Sequence, residues 1–253
     1  MVNKVSIITV CHNSAETIRD TIESVINQDY QSIEYIIVDG DSTDGTMDII
    51  REYGEKIDIV ISEPDKGIYD AMNKGIRVAS GNVVGTINSD DFYASSSSIS
   101  QLIKCMDKSG SDTVYSDLVV VDAKDTNKIL RYYNSGAFHP DRLRYGWMPA
   151  HPTFMVKRDL YLKYGVYKTD YKIAADYEMV VRLLHTAGAS YTYLPIVVVK
   201  MRKGGASTRG LKSSWILNKE IVRACRSNGI ETSLFKLVPK IPIKLMEYFR
   251  RPK

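Results

Sequence analysis

Residues 83–92 read Val-Val-Gly-Thr-Ile-Asn-Ser-Asp-Asp-Phe. An apolar run short enough for a buried strand stops at a polar group and two adjacent carboxylates, Asp90 and Asp91. Paired carboxylates repel each other and are costly to desolvate unless a cation shares them. Open α/β sheets take ligands outside the carboxyl ends of their strands. The stretch therefore predicts a divalent-cation and phosphate site with Asp90 and Asp91 as oxygen ligands. The competing reading is an Asp that caps the helix introduced by the Ser95–Ser98 run.

To either side, apolar runs alternate with amphipathic ones. Lys4–Val10 and Ile33–Val38 are β-branched and predict buried strands, and Ile57–Ile61 predicts a shorter one. Ile18, Ile22, Val25 and Ile26 share one helical face, opened by Asn13 and Glu16 at capping-box spacing. Further helices are expected over Thr46–Tyr53 and through Ala71, Met72, Ile76 and Ala79. Strands alternating with helices over residues 4–91 argue for βαβ units and a mostly parallel sheet. Beyond Phe92 the pattern predicts helices near Ile99–Met106 and Asp159–Tyr164, with strands at Thr113–Val121, Ile129–Tyr133 and Thr153–Val156. Tyr133–Trp147 reads as an irregular aromatic loop facing substrate. Ala174-Ala175-Asp176 opens a helix, Tyr191–Met201 is extended, Arg202–Gly210 is a basic glycine-rich loop, and Ser213–Asn228 is helical.

The 253 residues suffice for one large domain or two small ones. Three cysteines lie far apart with no Cys-x-x-Cys, which disfavours zinc or a disulfide frame and suits a reducing cytosol. Met1–Lys4 lead straight into strand-like sequence, so no signal peptide is expected, and no apolar run reaches the roughly 18 residues of a membrane span. The net charge of +4 is unevenly spread: residues 1–199 hold 20 Lys and Arg against 27 Asp and Glu, whereas residues 200–253 hold 14 against 3. An acidic body without a recognition motif argues against nucleic acid as a partner. The basic end, Phe235–Arg251, interleaves apolar and cationic residues, and Pro239 and Pro242 break any long helix there. It reads either as an interfacial anchor drawn to anionic lipid or as a tail packed on the body.

Three further constellations carry charge. Asp39-Gly40-Asp41-Ser42-Thr43-Asp44-Gly45 follows the second strand; its spacing fails as a calcium loop, Asp44 suits a helix cap, and Asp39 at the strand tip is open to a ligand. Asp176 stands at a helix start with Glu178 two residues later, where most such acids are caps. The Arg202–Arg209 loop suits a flap over a phosphate, or a solvated basic loop. His151, in Pro149-Ala150-His151-Pro152-Thr153, either faces a ligand beside the aromatic loop or is a buried, satisfied histidine. No Walker A, Gly-x-Gly-x-x-Gly or Gly-x-Ser-x-Gly pattern is present.

Taken together, Val5–Val10 with Asn13, Ile37–Thr46, Glu63–Gly75, Asn88-Ser89-Asp90-Asp91, His151–Phe154 and Ala174–Tyr177 closely resemble glycosyltransferase family 2 over residues 4–210. The subgroup in view acts in bacterial O-antigen, capsule and exopolysaccharide assembly. The resemblance implies a GT-A fold: an α/β, Rossmann-like, mostly parallel sheet flanked by helices, with a C-terminal acceptor-side part and a basic helical tail. It implies a nucleotide-binding half over residues 1–92, an acceptor-side half over 93–210 and a tail over 211–253. Thr9 and Asp39 match residues that hold base and ribose; Asn13, Lys66, Asn73, Asp90 and Arg202 fall on the donor side. Asp91 matches the metal ligand, aided by Asp90, for Mn²⁺ or Mg²⁺. Asp176 matches the catalytic base of inverting members, and Trp147 and His151 fall on the acceptor side. Asn88 replaces the first Asp of a strict Asp-x-Asp motif, and Ala175 replaces the acid of a Glu-Asp pair.

The implied donor is a nucleotide-diphosphate sugar, UDP by family habit. The implied acceptor is a saccharide, polyprenyl-diphosphate-linked, met in the cytoplasm or at the inner face of the plasma membrane. A sugar-phosphate nucleotidyltransferase would carry a Gly-rich basic loop after the first strand, where Cys11–Glu16 stands instead. A degenerate sugar-nucleotide-binding subunit is the non-enzymatic alternative.

Overall fold

The computed structural model describes residues 3–204, 211–240, 247, 248 and 252. Among these, nine strands form one sheet: β1 (Val5–Cys11), β2 (Ile33–Asp39), β3 (Ile59–Ser62), β4 (Val83–Asn88), β5 (Asp91–Tyr93), β6 (Thr113–Val121), β7 (Ile129–Tyr133), β8 (Met155–Lys157) and β9 (Tyr191–Arg202). Seven helices flank it: α1 (Ile18–Ile26), α2 (Thr46–Glu52), α3 (Ile68–Val78), α4 (Ser98–Ser109), α5 (Arg158–Tyr164), α6 (Ala175–Val181) and α7 (Leu211–Ser227).

The expected mostly parallel α/β sheet is present. β3, β2, β1 and β4 lie side by side and parallel, and the path continues through β8, β6 and β9 to β5. β1 is buried along its whole length, Ser6 and Thr9 included, because both its faces are covered. Ile8 and Val10 join the core shared with α3 and α6, while Val5, Ile7 and Cys11 join the one shared with α1 and α4. Register then gathers the strand ends on one rim. Cys11 lies opposite Asp39, Asp39 opposite Ser62, and Val10 opposite Asn88. The sheet curls until its last strand meets α1: Thr21 Oγ1 donates to the Asp91 carbonyl at 2.7 Å, and the Tyr93 N–H donates to Ser24 Oγ at 3.1 Å.

Close approach of α3 to β1 depends on Gly75. A Cβ there would lie 2.5 Å from Ile8 Cγ2, a branched atom with no room to retreat. Gly75→Ala is expected to cost about 1–3 kcal/mol through overpacking, read as a melting temperature lower by several degrees. An unchanged melting temperature would show that the α3–β1 contact has slack.

Local expectations shift in three places. α1 starts at Ile18, and Asn13 (φ 49°) makes no capping box; its Oδ1 instead accepts the Thr43 N–H at 2.9 Å. Pro152 has no N–H for a ladder, so His151–Thr153 form a 3₁₀ turn and only Met155 onward joins the sheet. Asp91 begins β5, and α4 is preceded by Ser97, so neither Asp90 nor Asp91 is a helix cap.

The C-terminal part packs on the body at several described points, while Phe235, Val238 and Tyr248 are exposed. Ile221, Ala224 and Cys225 of α7 share a core with α6. The Tyr132 N–H donates to the Glu247 carbonyl at 3.1 Å, and Arg131 Nε lies 2.9 Å from Glu247 Oε2. The remaining residues of the expected anchor, 241–246 and 249–251, lie outside the described residues. No described helix is long and apolar enough to cross a membrane.

Candidate active site

The rim at the carboxyl ends of β1, β2 and β4 is built from tight loops. The Gly40 N–H donates to the Cys11 carbonyl at 2.9 Å, and His12 Nδ1 lies 2.9 Å from the Gly40 carbonyl oxygen. A Cβ on Gly40 would come within 2.4 Å of Asp65 Oδ2, so any larger residue would have to push the Asp65 carboxylate aside. His12 is exposed and Asp65 half-buried on this rim, among other exposed loop side chains such as Asn13 and Asp41. Neither His12 nor Asp65 was singled out in the sequence; the signal for Asp65 was a glycine placed just past a strand tip.

Several expected donor residues lie deeper than the resemblance implies. Thr9 is 0% exposed, with its hydroxyl 3.1 Å from Tyr35 Oη, and it belongs to the core. Asp39 is also 0% exposed. Its carboxylate accepts from Ser42 N–H, Ser42 Oγ, Ser62 Oγ and Cys11 Sγ, which fills its acceptor positions. Burial pushes its pKa up, but these hydrogen bonds outweigh it and keep the group ionised. Asp39 is thus a brace of the loop and not an open ligand contact. Asp44 accepts from the Ala15 and Thr46 N–H groups, but Gly45 holds the cap position of α2, so Asp44 braces the turn before the helix and is not its cap. Asn73 is buried, and both ends of its amide bind the Tyr167 backbone, at 2.8 and 2.9 Å. Lys66 is exposed beside Asp65.

At the end of β4, Asp91 is 1% exposed and Asp90 half-buried. The Asp91 carboxylate accepts from Asn88 Nδ2 at 3.2 Å and from the Arg202 N–H at 3.3 Å. Burial, and then the neighbouring Asp90 charge, push its pKa well above the ordinary range. Asn88 Oδ1 is buried without a hydrogen-bond partner. An orphaned oxygen beside two carboxylates is the hard donor set that Mg²⁺ or Mn²⁺ prefers. No group of three His, Cys, Asp or Glu converges among the described residues, so remaining positions would fall to such oxygens and to phosphate.

Arg202 differs from the flap expected of it. It ends β9 and is buried, ion-paired to Asp20 of α1, with NH1 donating to the Asp90 carbonyl at 3.0 Å and its guanidinium 4.9 Å from the centre of the Phe92 ring. It fixes the acid turn. Residues 205–209 of the flap lie outside the described residues.

Asp176, half-buried at the start of α6, sits in an aromatic nest. Its Oδ1 accepts the Tyr177 N–H at 2.7 Å and lies 3.4 Å from Tyr69 Oη. Burial raises its pKa, opposed by the nearby His151. Tyr69 stacks on Tyr167 at 5.8 Å, and the Tyr167 hydroxyl lies 2.8 Å from His151 Nε2. His151 is therefore a satisfied histidine, its pKa lowered by burial and drawn partly back by Asp176. Tyr69 and Asn73 stand four residues apart on one face of α3, which is how a single helix supports both the acid and its aromatic wall. That spacing was the available signal for Tyr69. Tyr167 also meets Thr86 of β4, and Asn88, two residues on, points to the same face. The Asp176 nest and the acid turn thus adjoin the same strand end. Trp147, half-buried, lines a recess with Tyr133, Asn134, Phe138, Arg142 and Glu247. Burial and then the Glu247 charge raise the Tyr133 phenol, and Asp176 adds a smaller push in the same direction.

Comparison with known proteins agrees with this architecture. The chain is 29% identical over 223 residues to a PGL/p-HBAD biosynthesis glycosyltransferase of Mycobacterium bovis, covering 86% of this chain and 82% of that one. It is 35% identical over 99 residues, 39% of each chain, to the Escherichia coli UDP-Glc:alpha-D-GlcNAc-diphosphoundecaprenol beta-1,3-glucosyltransferase WfaP. The mannosyltransferase PcManGT of Pyrobaculum calidifontis, solved with GDP-Man and Mn²⁺, superposes with a TM-score of 0.66 at 21% identity, covering 98% of this chain and 70% of that one. The fold is GT-A. The family model for glycosyl transferase family 2 matches residues 6–165, from β1 to the end of α5. A match over more than half the chain settles its lineage: this protein is a glycosyltransferase and belongs to family 2.

Proposed function

We propose that the protein transfers a sugar, with inversion, from a nucleotide-diphosphate sugar to a saccharide acceptor, with Asp176 as general base. The observation that carries this reading is the setting of Asp176: a carboxylate oriented by the Tyr177 N–H and Tyr69, pushed toward basicity by burial, and adjoining the acid turn of β4. A base works best with a pKa drawn toward the operating pH. In the transfer, the acceptor O–H breaks and its proton passes to Asp176. The acceptor oxygen bonds to the anomeric carbon from the face opposite the leaving diphosphate, and the bond from that carbon to the phosphate oxygen breaks. One displacement inverts the configuration. Asp91 and Asp90, with Asn88 Oδ1 beside them, would hold a divalent cation, which when bound neutralises charge on the leaving diphosphate. Arg202 and Thr21 keep that turn in place.

UDP as the nucleotide and a polyprenyl-diphosphate-linked acceptor are supported by the likeness to the E. coli glucosyltransferase, whose name specifies both. The recess lined by Trp147 and Tyr133, within reach of the Asp176 charge, suits the acceptor sugar. A panel of UDP-, GDP- and dTDP-sugars with Mn²⁺ tests the reading by thermal shift and by nucleotide release. Saturation at a hundredfold Kd stabilises by about 2.7 kcal/mol, several degrees in a chain of this size. Stabilisation by one donor with release of its nucleotide is expected. Stabilisation without release would favour the degenerate binding subunit, and neither response would end the transferase reading.

A further inference from the structure

The segment that delivers Asp176 is held by a helix outside the region matched by the family model. The Glu220 carboxylate on α7 accepts three consecutive backbone N–H groups: Lys172 at 2.7 Å on one oxygen, Ile173 and Ala174 at 2.9 Å each on the other. One helical turn on, Arg223 is ion-paired to Asp170, donates from NH1 to the Asp170 carbonyl at 3.1 Å, and lies 4.3 Å from the centre of the Tyr171 ring. From the opposite side, the Tyr69 hydroxyl of α3 donates to the Ile173 carbonyl. Residues 170–174 are thereby clamped between α3 and one face of α7, and Asp176 follows two residues later. Backbone N–H groups gathered on a carboxylate form charge-assisted bonds, stronger than neutral ones. The Asp170–Arg223 pair is half exposed and contributes less.

We infer that Glu220 is a positioning residue for Asp176, so that α7 is part of the transfer machinery and not an appended tail. The inference rests on Asp176 being the base. It also assigns a role to the buried side of α7, whose Ile221, Ala224 and Cys225 fix Glu220 at that depth.

Glu220→Gln and Glu220→Ala test it. Glutamine offers one acceptor oxygen where three N–H groups converge, so it loosens the segment without removing bulk. The probe is the nucleotide sugar giving the fastest Mn²⁺-dependent nucleotide release in the unaltered protein. Misplacing a reacting group by about 1 Å costs on the order of 10²-fold, so kcat is expected to fall about 10- to 100-fold for Gln and further for Ala, with donor KM unchanged within about twofold. A purely structural role predicts a lower melting temperature with proportionate loss of donor binding. Positioning predicts something else: the acid limb of the kcat–pH profile moves to lower pH, because a looser segment hydrates Asp176, and the amides of 172–174 lose protection from hydrogen exchange. If Asp176→Asn is inactive while both Glu220 variants keep full kcat and an unmoved acid limb, the inference is wrong and the base assignment stands. If Asp176→Asn keeps full rate, the base assignment fails and takes the inference with it.

Discussion

Replacing Asp176 by asparagine is expected to lower turnover by about 10²–10⁴-fold while leaving nucleotide-sugar affinity within about twofold. Asparagine keeps the oxygen that accepts the Tyr177 N–H, so the start of α6 is preserved and only the proton acceptor is lost. At about 1.4 kcal/mol per decade, the loss amounts to roughly 3–5 kcal/mol of transition-state stabilisation. Two pH effects accompany it. The base must be ionised, and burial raises its pKa, so the acid limb of the native rate profile is shifted upward from that of a solvated aspartate. For stability the sign is opposite. A carboxyl whose folded pKa is raised binds its proton more tightly in the folded protein, so its contribution is fully present below the unfolded value of about 3.9 and is lost as pH rises through the folded one. Above that pKa the native protein therefore carries a partly desolvated charge that Asp176→Asn removes, and the variant is expected to melt higher while working far more slowly. A variant that keeps full rate would require another base.

The second large effect is expected at the acid turn. Asp91→Asn should weaken Mn²⁺-dependent UDP binding by at least about 10²-fold, with metal-free UDP binding unchanged, read by calorimetry with and without Mn²⁺. Asparagine keeps one acceptor oxygen for the Arg202 N–H, and its NH2 can donate to Asn88 Oδ1 once that amide turns over, so loss of folding is not the expected cause. Removing charge from a carboxylate that is 1% exposed and crowded by Asp90 should itself favour the folded state. A lower cation affinity with an equal or higher melting temperature is therefore the signature of a ligand role. If Mn²⁺ dependence survives in Asp91→Asn and is lost in Asp90→Asn, the half-buried member of the pair is the principal ligand.

How much of this was legible depended on the range of the interactions. β1, β2 and β4 were readable because burial on both faces demands a mostly apolar run, a property local to each strand. The acid turn was readable because two adjacent carboxylates at a strand end are expensive wherever they occur. Asn13 was misread because capping-box spacing is a local hint, and a loop thirty residues away offered its amide a better partner in the Thr43 N–H. Thr9 and Asn73 were placed at a ligand by resemblance alone. Their partners, Tyr35 on the adjacent strand and the Tyr167 backbone, come into range only when distant segments pack.

Sequence alone therefore determined the alternating strands and helices, the carboxylates available at their ends, and the family, since all of these rest on residue order and short-range burial. Tertiary structure alone decided which of those groups are already spent: Asp39 on its own loop, Arg202 on Asp20 and the Asp90 carbonyl, His151 on Tyr167. It alone also brought Glu220 to residues 172–174, more than forty positions earlier. The reason is physical: a hydrogen-bonding group is satisfied by whatever folding brings within about 3 Å, and no spacing along the chain encodes that distance.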